Sequence, residues 1–201
     1  MGFDMNAFSL AGKKAIVTGG AKKTGLCYGM AVALHDAGAE IVILDANSQV
    51  ENTVAELGGA KSGYHAVVAN LLDLNDLSNG FQQAISALGG RLDILVNGAG
   101  LQYRCPSEEF PEDAWDRIMG VNIKGVFFMS QLAGKVMLKQ GKGKIINIAS
   151  TNSFIGLRNM PAYVSSKGGV KQLTMALSSE WSGRGINVNA IAPGYMDTEM
   201  S

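Results

Sequence analysis

Short runs of nearly continuous apolar residues recur along the chain, separated by longer segments with helical spacing. Because these runs do not alternate polar and apolar side chains, both faces of each run should be buried, as in strands of a parallel sheet. The predicted strands are Lys14–Gly19, Glu40–Asp45, His65–Asn70, Asp93–Gly98, Lys144–Ser150 and Ile186–Ala192. The predicted helices lie at residues 26–37, 48–57, 74–88, 112–139 and 161–182. Strands separated by helices predict an α/β fold, a doubly wound parallel sheet with helices on both faces.

The overall composition excludes several classes of function. The 201 residues suffice for one domain with a sizeable core, and no linker or repeat divides them. Seventeen basic residues balance 17 acidic ones without a basic tract, so we expect no nucleic-acid or membrane partner. The start of the chain lacks the order of a signal peptide. Two distant cysteines, Cys27 and Cys105, predict neither a disulfide framework nor a metal cluster. We therefore expect a single cytoplasmic domain over residues 1–201.

A glycine-rich segment, TGGAKKTGLCYG (Thr18–Gly29), follows the first predicted strand. At the first strand–helix turn of such a sheet, backbone N–H groups and the helix dipole face an anion, such as the pyrophosphate of a dinucleotide. Asp45 ends the second strand 20 residues after Gly25, where a carboxylate accepts the adenosine ribose hydroxyls and repels a 2′-phosphate. These features predict NAD as the cofactor. Alternatively, the glycines form only a tight turn and Asp45 caps the next helix, although the register of Asp45 favours the first interpretation.

Four further residues suggest proton and hydride chemistry. Tyr163 and Lys167 stand four positions apart on a predicted helix, so one helix face presents both. An ammonium group and an oxidised nicotinamide favour the phenolate, so Tyr163 is the expected general acid/base. Ser150, at the end of a strand, should hydrogen-bond the substrate oxygen. Lys167 should hold the nicotinamide ribose, and Asn122 should support a water that relays the proton outward.

Each of these four residues also has an ordinary structural explanation. Ser150 could cap a helix, and Tyr163 could be a half-buried amphipathic residue. Lys167 could be a solvated helix charge, and Asn122 could bond the backbone in the middle of its helix. The four residues together, at these spacings, favour the catalytic interpretation.

The sequence resembles the short-chain dehydrogenase/reductase family from about Phe8 to Met200. The resemblance rests on the glycine loop, Asp45, NGAG (Asn97–Gly100), the four candidate catalytic residues and APGYMDT (Ala192–Thr198). It implies a Rossmann fold, a small-molecule substrate and a homo-oligomer, either a tetramer or a dimer. It also implies cofactor contacts from Gly19, Lys23, Thr24, Gly25, Leu26, Asp45, Asn70, Leu71, Asn97, Ala99, Gly100, Pro193, Gly194 and Thr198.

A narrower resemblance concerns the substrate. The segments FSLAGKKAIVTG, GLQYRCPSEEF, VNIKGVFFMSQ and INVNAIAPGYM are similar to the 2-deoxy-gluconate 3-dehydrogenases and gluconate 5-dehydrogenases. This resemblance implies hydride transfer at a secondary alcohol or ketone of a polyol or sugar acid. Arg104 could pair with a substrate carboxylate, or could be a surface arginine beside Glu108 and Glu109. Gln102, Ser153 and Met196 are expected on the substrate side.

The sequence departs from the family pattern in several places. NGAG carries Gly98 where the family has asparagine, and Asn70 stands where an acidic residue is usual. The helix register implies two extra residues between Gly19 and Gly25, with Cys27 in place of the last glycine. Relatives continue through a further loop, helix and seventh strand, so we expect the domain to be C-terminally incomplete.

The sequence also allows two alternative functions. One is an NADPH-dependent ketoacyl-type reductase, in which Lys22 or Lys23 would meet a 2′-phosphate, although Asp45 argues against it. The other is a catalytically idle dinucleotide-binding or scaffold protein, which the altered loop and the early end of the chain suggest. The intact set of Ser150, Tyr163 and Lys167 argues against this second alternative.

Overall fold

The computed structural model describes residues 5–198, in which six strands form one parallel sheet. The strands are β1 (Lys14–Thr18), β2 (Glu40–Asp45), β3 (Tyr64–Val68), β4 (Ile94–Asn97), β5 (Gly143–Ile148) and β6 (Ile186–Ile191). Their order across the sheet is β3-β2-β1-β4-β5-β6, and every neighbouring pair is parallel. The chain therefore starts in the middle of the sheet, builds one half outward and then crosses over to build the other. This is the predicted doubly wound architecture. The ends of the predicted domain, residues 1–4 and 199–201, lie outside the described residues.

Helices connect the strands on both sides of the sheet. The α-helices are α1 (Leu26–Asp36), α2 (Gln49–Glu56), α3 (Leu74–Ala87), α4 (Glu112–Met119), α5 (Val126–Gln140) and α6 (Pro161–Trp181). Short 3₁₀ turns lie at Met5–Phe8, Gly59–Ser62, Ser107–Glu109, Thr151–Ser153 and Ser182–Arg184. Among residues 5–198, no helix combines the length and the apolar character that crossing a bilayer requires.

The strand side chains point alternately into two hydrophobic cores, as β2 illustrates. Val42 and Leu44 lie in the core shared with α3, α5 and α6. Ile41 and Ile43 lie in the opposite core, beneath α1 and α2. All four side chains are 0% exposed, and full burial of such a side chain stabilises the fold by about 1.5–3 kcal/mol. Burial on both faces explains why the strands are continuously apolar in sequence.

The helix predicted over residues 112–139 is not continuous. A π-helical segment, Gly120–Gly125, separates α4 from α5. A Cβ added at Gly120 would lie 2.6 Å from Leu72 Cδ2, and one at Gly125 would lie 3.1 Å from Leu71 Cβ. The two glycines thus let the wider helical turn pack closely against the segment that follows β3. Such π segments recur at functional sites, and this one carries Asn122.

The carboxyl ends of all six strands meet at one edge of the sheet. The chain changes direction across the sheet between β1 and β4, and open α/β sheets bind their ligands at such a switch point. The segments 19–25, 98–104 and 149–152, which follow β1, β4 and β5, lie at this edge together with Asp45 of β2. The fold therefore assembles the glycine loop and Ser150 at a single location.

Candidate active site

A cleft of about 610 Å³ opens at the carboxyl edge of the sheet. Its walls contain most of the residues that the sequence predicts for cofactor, catalysis and substrate. These residues are Thr24, Gly25, Leu26, Asp45, Gly100, Gln102, Arg104, Ser150, Tyr163, Lys167, Pro193, Gly194, Met196 and Thr198. The predicted residues that do not line the cleft are Gly19, Lys23, Asn70, Leu71, Asn97, Ala99, Asn122 and Ser153.

The glycine loop turns away from β1 through two residues whose backbone conformation is easily adopted only by glycine. Gly19 and Gly20 have φ angles of 82° and 111°, in the region disfavoured by side chains. The Asp45 carboxylate fixes the next part of the loop, because it accepts hydrogen bonds from Ala21 N at 3.0 Å and Asn47 N at 2.9 Å. Asp45 therefore holds the loop as well as lining the cleft.

The two lysines of the loop have different surroundings. Gly25 caps α1 in an extended conformation, and the first residues of α1 line the cleft, so the positive end of the helix dipole faces it. Lys22 also lines the cleft. Lys23 instead forms an exposed ion pair with Glu56 of α2, and the hydrogen bond that Lys23 donates to this carboxylate, followed by the carboxylate charge, raises the pKa of Lys23. The structure thus places Lys22, and not Lys23, in the cleft.

Tyr163 and Lys167 share one face of α6 within the cleft. Lys167 Nζ lies 5.7 Å from the centroid of the Tyr163 ring and donates a hydrogen bond to Ile148 O at 2.6 Å. The Lys167 side chain is only 5% exposed, so it is not a solvated helix charge. Burial lowers the pKa of Lys167 to about 8, partly opposed by the Cys27 thiol. The structure thus brings the two side chains together on α6, as their four-residue spacing predicts.

Ser150 caps the turn that follows it and also lines the cleft. Its Oγ accepts a hydrogen bond from Asn152 N at 3.1 Å, and it caps the 3₁₀ turn that follows. Its side chain also lines the cleft. Ser153 completes the cap by accepting a bond from Ser150 N, and it donates to Lys167 O at 2.8 Å. Ser153 is thus part of the support beneath the cleft, connecting the turn to α6.

Asn122 is fully buried and connects three parts of the site. Its Oδ1 accepts from Leu101 N at 2.7 Å, and its Nδ2 donates to Leu101 O at 2.9 Å and to Ser166 Oγ at 3.0 Å. Ser166 Oγ in turn donates to Tyr163 O at 2.8 Å. The amide therefore joins the wall after β4 to the helix turn that carries Tyr163.

Asn97 lies beneath the cleft, in a buried polar network. Its Nδ2 donates to Asn147 Oδ1 and to Ser130 Oγ, both at 2.9 Å, and Asn147 Nδ2 donates to Thr174 Oγ1 at 2.9 Å. Among the described residues, nothing hydrogen-bonds Asn97 Oδ1. This network joins β4 and β5 to α5 and α6, so Asn97 stabilises the floor on which the cleft is built.

Four other predicted cofactor residues also lie outside the cleft lining. Gly19 packs on Ala99, since a Cβ added at Gly19 would lie 3.2 Å from Ala99 Cα. Asn70 is exposed, and its side chain accepts a hydrogen bond from Leu72 N at 3.0 Å within its own turn. Leu71 is 6% exposed and belongs to the core beside α3 and α5.

The predicted substrate residues Gln102, Arg104 and Met196 line the cleft. Arg104 is exposed, and within residues 5–198 its guanidinium forms no ion pair with Glu108, Glu109 or any other carboxylate. This arginine is therefore placed where it could meet a ligand carboxylate.

Sequence reasoning overlooked several residues of the site. These are Ala21, Asn47, Leu101, Ile148, Ala149, Thr151, Asn152, Leu157, Met160 and Tyr195 in the lining, and Ser166 behind it. Proximity to a predicted strand end is the sequence signal that could have found the residues around Leu101 and Ala149. No pattern marks Leu157 or Met160, which reach the cleft from the irregular segment before α6. Cys27 and Gly98, which the sequence marks as departures from the family pattern, also line the cleft, as does Lys22, a candidate for a 2′-phosphate contact in the alternative reductase.

Comparison with known proteins agrees with this arrangement. The chain matches the model of the short chain dehydrogenase family over residues 13–201. It is 45% identical over 195 residues to a 2-dehydro-3-deoxy-D-gluconate 5-dehydrogenase of Escherichia coli, covering 96% of this chain and 76% of that protein. An enzyme with the same description from Pseudoalteromonas atlantica is 42% identical over 200 residues, with 97% of this chain and 76% of that protein covered.

A solved structure extends the similarity to three dimensions. The crystal structure of a gluconate 5-dehydrogenase from Burkholderia cenocepacia, in complex with NADP and tartrate, superposes with a TM-score of 0.90 at 34% identity. The match covers 97% of this chain and 76% of that one. Together with the cleft at the switch point of the sheet, these matches show that the chain belongs to the short-chain dehydrogenase family of oxidoreductases.

Proposed function

We propose that this protein transfers a hydride between NAD(H) and a secondary alcohol or ketone of a sugar acid or polyol, with Tyr163 as general acid/base. The observation that carries the proposal is the presence of Ser150, Tyr163 and Lys167 in the same cleft as the first turn of α1. The cleft thus offers groups for proton transfer together with the positive end of a helix.

The residues of the cleft fit a dinucleotide. Ala21, Thr24 and Gly25 of the glycine loop line the cleft, and the start of α1 points its N–H groups toward the same space. The Asp45 carboxylate lies where it could accept ribose hydroxyls. When bound, the nicotinamide supplies the acceptor or donor of the hydride.

The proton transfer follows from the contacts of three side chains. Tyr163 takes the proton of the substrate hydroxyl during oxidation and returns it during reduction. Ser150 Oγ accepts from Asn152 N, and within the described chain no acceptor takes its own O–H proton, which leaves that proton for the substrate oxygen. Lys167 uses one N–H on Ile148 O, so two remain for the Tyr163 phenol and a ribose.

Asn122 is proposed as a positioning residue for this reaction. Both N–H groups of its amide are engaged with Leu101 and Ser166, so a relay water would use the remaining lone pair of Oδ1. Through Ser166, Asn122 fixes the helix turn on which Tyr163 stands.

A preference for NAD over NADP is proposed from Asp45. Its carboxylate is held at the cleft by Ala21 N and Asn47 N, and a fixed negative charge repels a 2′-phosphate. We expect NADH to bind at least about tenfold more tightly than NADPH in a fluorescence titration. Asp45→Asn, which keeps an acceptor oxygen for one of the two loop bonds, should remove most of this difference. Tighter binding of NADPH by the unaltered protein would contradict the proposal and favour the NADPH-dependent reductase. Lys22 in the cleft and the NADP bound to the Burkholderia relative make this comparison necessary.

A sugar acid is proposed as the substrate because of Arg104 and the similar enzymes. Arg104 lines the cleft with no carboxylate partner among the described residues, and guanidinium binds carboxylate with two parallel hydrogen bonds. The relatives described above are named for gluconate and a dehydro-deoxy-gluconate. Arg104 would thus orient the acid group, while Tyr163 and Ser150 address a hydroxyl or ketone further along the carbon chain.

The test is NADH-linked turnover with gluconate and 2-dehydro-3-deoxy-gluconate, and with glucitol as the matched polyol that lacks only the carboxylate of gluconate. Tyr163→Phe should lower kcat by roughly 10²–10⁴-fold, while the Kd for NADH stays within about threefold. Arg104→Ala should raise KM for the acids and leave KM for glucitol unchanged.

Each arm of this experiment can fail separately. Undiminished turnover in Tyr163→Phe would refute the proton transfer, and an equal effect of Arg104→Ala on glucitol would refute the carboxylate contact. If the unaltered protein bound no nicotinamide dinucleotide, the idle scaffold would be the better description.

A further inference from the structure

Cys27 and Gly98 both line the cleft, and their side-chain positions compete for the same small space. A Cβ added at Gly98 would lie 2.3 Å from Cys27 Sγ, a distance that two such atoms cannot adopt. The same sulfur lies 3.4 Å from where a Cβ at Gly19 would be. The thiol, on the first turn of α1, therefore fills the gap between the carboxyl ends of β1 and β4. A side chain at position 98 and the sulfur of Cys27 exclude each other.

Space, not backbone conformation, is what requires glycine at position 98. Gly98 has no positive φ angle, so its backbone would accept any residue. The backbone is also fixed in place, because Gly98 N and Ala99 N donate to Thr18 Oγ1 at 3.0 and 3.2 Å. The segment cannot retreat from Cys27 without breaking these bonds.

The chemistry of the thiol suits a packing role. Burial raises the pKa of Cys27 to about 11, opposed in part by the Lys167 charge. The side chain is therefore uncharged near neutral pH, and a buried neutral thiol behaves as a small apolar group. Because Cys27 lies on the first turn of α1, and this turn lines the cleft, its packing affects where α1 presents its N–H groups.

We propose that Cys27 is a positioning residue for the dinucleotide, matched to Gly98. Its sulfur sets the distance between the first turn of α1 and the end of β4, and so the height of the helix N–H groups above the cleft floor. The two departures from the family pattern, a cysteine for a glycine and a glycine for an asparagine, are then one coupled change. This inference rests on the proposed function, because it assumes that the dinucleotide binds at the start of α1.

The test is a double-mutant cycle with Gly98→Ala, Cys27→Ala and the combined variant. In Gly98→Ala the sulfur must move toward the cleft, so we expect the Kd for NADH to rise about tenfold or more, with kcat at saturation within about threefold. Adding Cys27→Ala removes the sulfur and leaves Cβ of residue 27 at 3.6 Å, an ordinary contact. The Kd should then return to within about threefold of the unaltered protein. Thr18 O, 3.1 Å from the new Cβ, makes full recovery unexpected.

Two matched variants show whether the recovery is specific. Cys27→Ser keeps an atom at the γ position and should not rescue Gly98→Ala. Cys105→Ala removes the other cysteine, whose thiol contacts Glu109 O, and should not rescue it either. Additive effects of Gly98→Ala and Cys27→Ala on Kd, or equal rescue by Cys27→Ser, would overturn the proposal.

Thermal unfolding separates this inference from the proposed function. If Gly98→Ala alone folds poorly, recovery of its melting temperature by Cys27→Ala, and not by Cys27→Ser, reports the same coupling without any ligand. If the melting temperature does not recover, the proposal that Cys27 and Gly98 are matched is overturned. If the two substitutions had coupled effects on the melting temperature but the protein bound no dinucleotide, the proposed function would be contradicted and only the packing of Cys27 against Gly98 would be supported.

Discussion

At the scale of single residues, burial separates lysines that look alike in the sequence. Lys167 and Lys23 both lie near predicted ligand positions, yet Lys167 is 5% exposed while Lys23 pairs with Glu56 at the surface. The four-residue spacing between Tyr163 and Lys167 predicts that they share a helix face, and they do. The partner of Lys23 could not be predicted, because Glu56 approaches only through the packing of α2 beside the loop. A buried ammonium with one protein acceptor, Ile148 O, is costly to the fold.

Lys167→Met is predicted to stabilise the folded protein while abolishing most activity. At pH 7 the buried charge costs more than the lost bond to Ile148 O, so the free energy of unfolding should rise by about 1–2 kcal/mol. The pKa of Lys167 is lowered from 10.5 to about 8, so between these values the unfolded chain binds a proton that the folded chain does not. The unfavourable contribution of Lys167 to the free energy of unfolding therefore diminishes as pH rises across that window. The stability difference between Lys167→Met and the unaltered protein should shrink accordingly. Thermal unfolding from pH 7 to pH 10, together with turnover, measures both effects.

The matched control for this prediction is Lys171→Met, on the next turn of the same helix. Lys171 Nζ lies 4.4 Å from the centroid of the Phe154 ring and is less buried than Lys167. Removal of its charge should change stability little. A Lys167→Met protein less stable than the unaltered one at pH 7 would show that burial of this ammonium is not the dominant cost.

At the scale of elements, hydrophobic periodicity predicted each strand and most helix limits within a few residues. It succeeded because two-sided burial makes every strand a continuous apolar run, as the fully buried Ile41, Val42, Ile43 and Leu44 show. It missed the π segment Gly120–Gly125, which depends on close contact with Leu71 and Leu72. Periodicity describes one element at a time, so it does not register a contact between two of them.

The same limit explains which parts of the candidate site were predictable. Residues at strand ends, such as Asp45 and Ser150, follow from the rule that parallel strands present ligands at their carboxyl edge. Asn97 also ends a strand, but its side chain points to Asn147 and Ser130 beneath the cleft. Which face such a residue uses depends on a one-residue register in the sheet, which the sequence pattern does not specify for a polar strand end.

At the scale of the whole molecule, the two edges of the sheet have different tasks. The carboxyl edge carries the cleft, and the amino edge carries a chain of ionic contacts. There Lys14 of β1 and His65 of β3 both contact the carboxylate of Glu40 on β2, His65 at 2.7 Å. Asp93, before β4, accepts from Lys14 N at 3.0 Å. Four segments of the sheet are thereby connected far from the chemistry, so this edge should affect stability without affecting turnover.

Glu40→Gln is predicted to lower stability and leave dinucleotide binding unchanged. Hydrogen bonds from Lys14 and His65 lower the pKa of Glu40 below its ordinary value of 4.5, so its contribution is complete above that pH and is lost as pH falls through the folded-state pKa. The carboxylate is partly exposed, so we expect a loss of about 0.5–1 kcal/mol at pH 7, or about 1–4 °C in melting temperature. Thermal unfolding at pH 7 and at decreasing pH should show a constant difference down to about pH 4.5 and a shrinking one below it. Glu56→Gln, which breaks the more exposed pair with Lys23, is the matched control and should change the melting temperature by less. A changed Kd for NADH in Glu40→Gln would contradict the separation of the two edges. Equal losses of melting temperature in Glu40→Gln and Glu56→Gln would show that the contacts of Glu40 across three strands stabilise the fold no more than an exposed ion pair does.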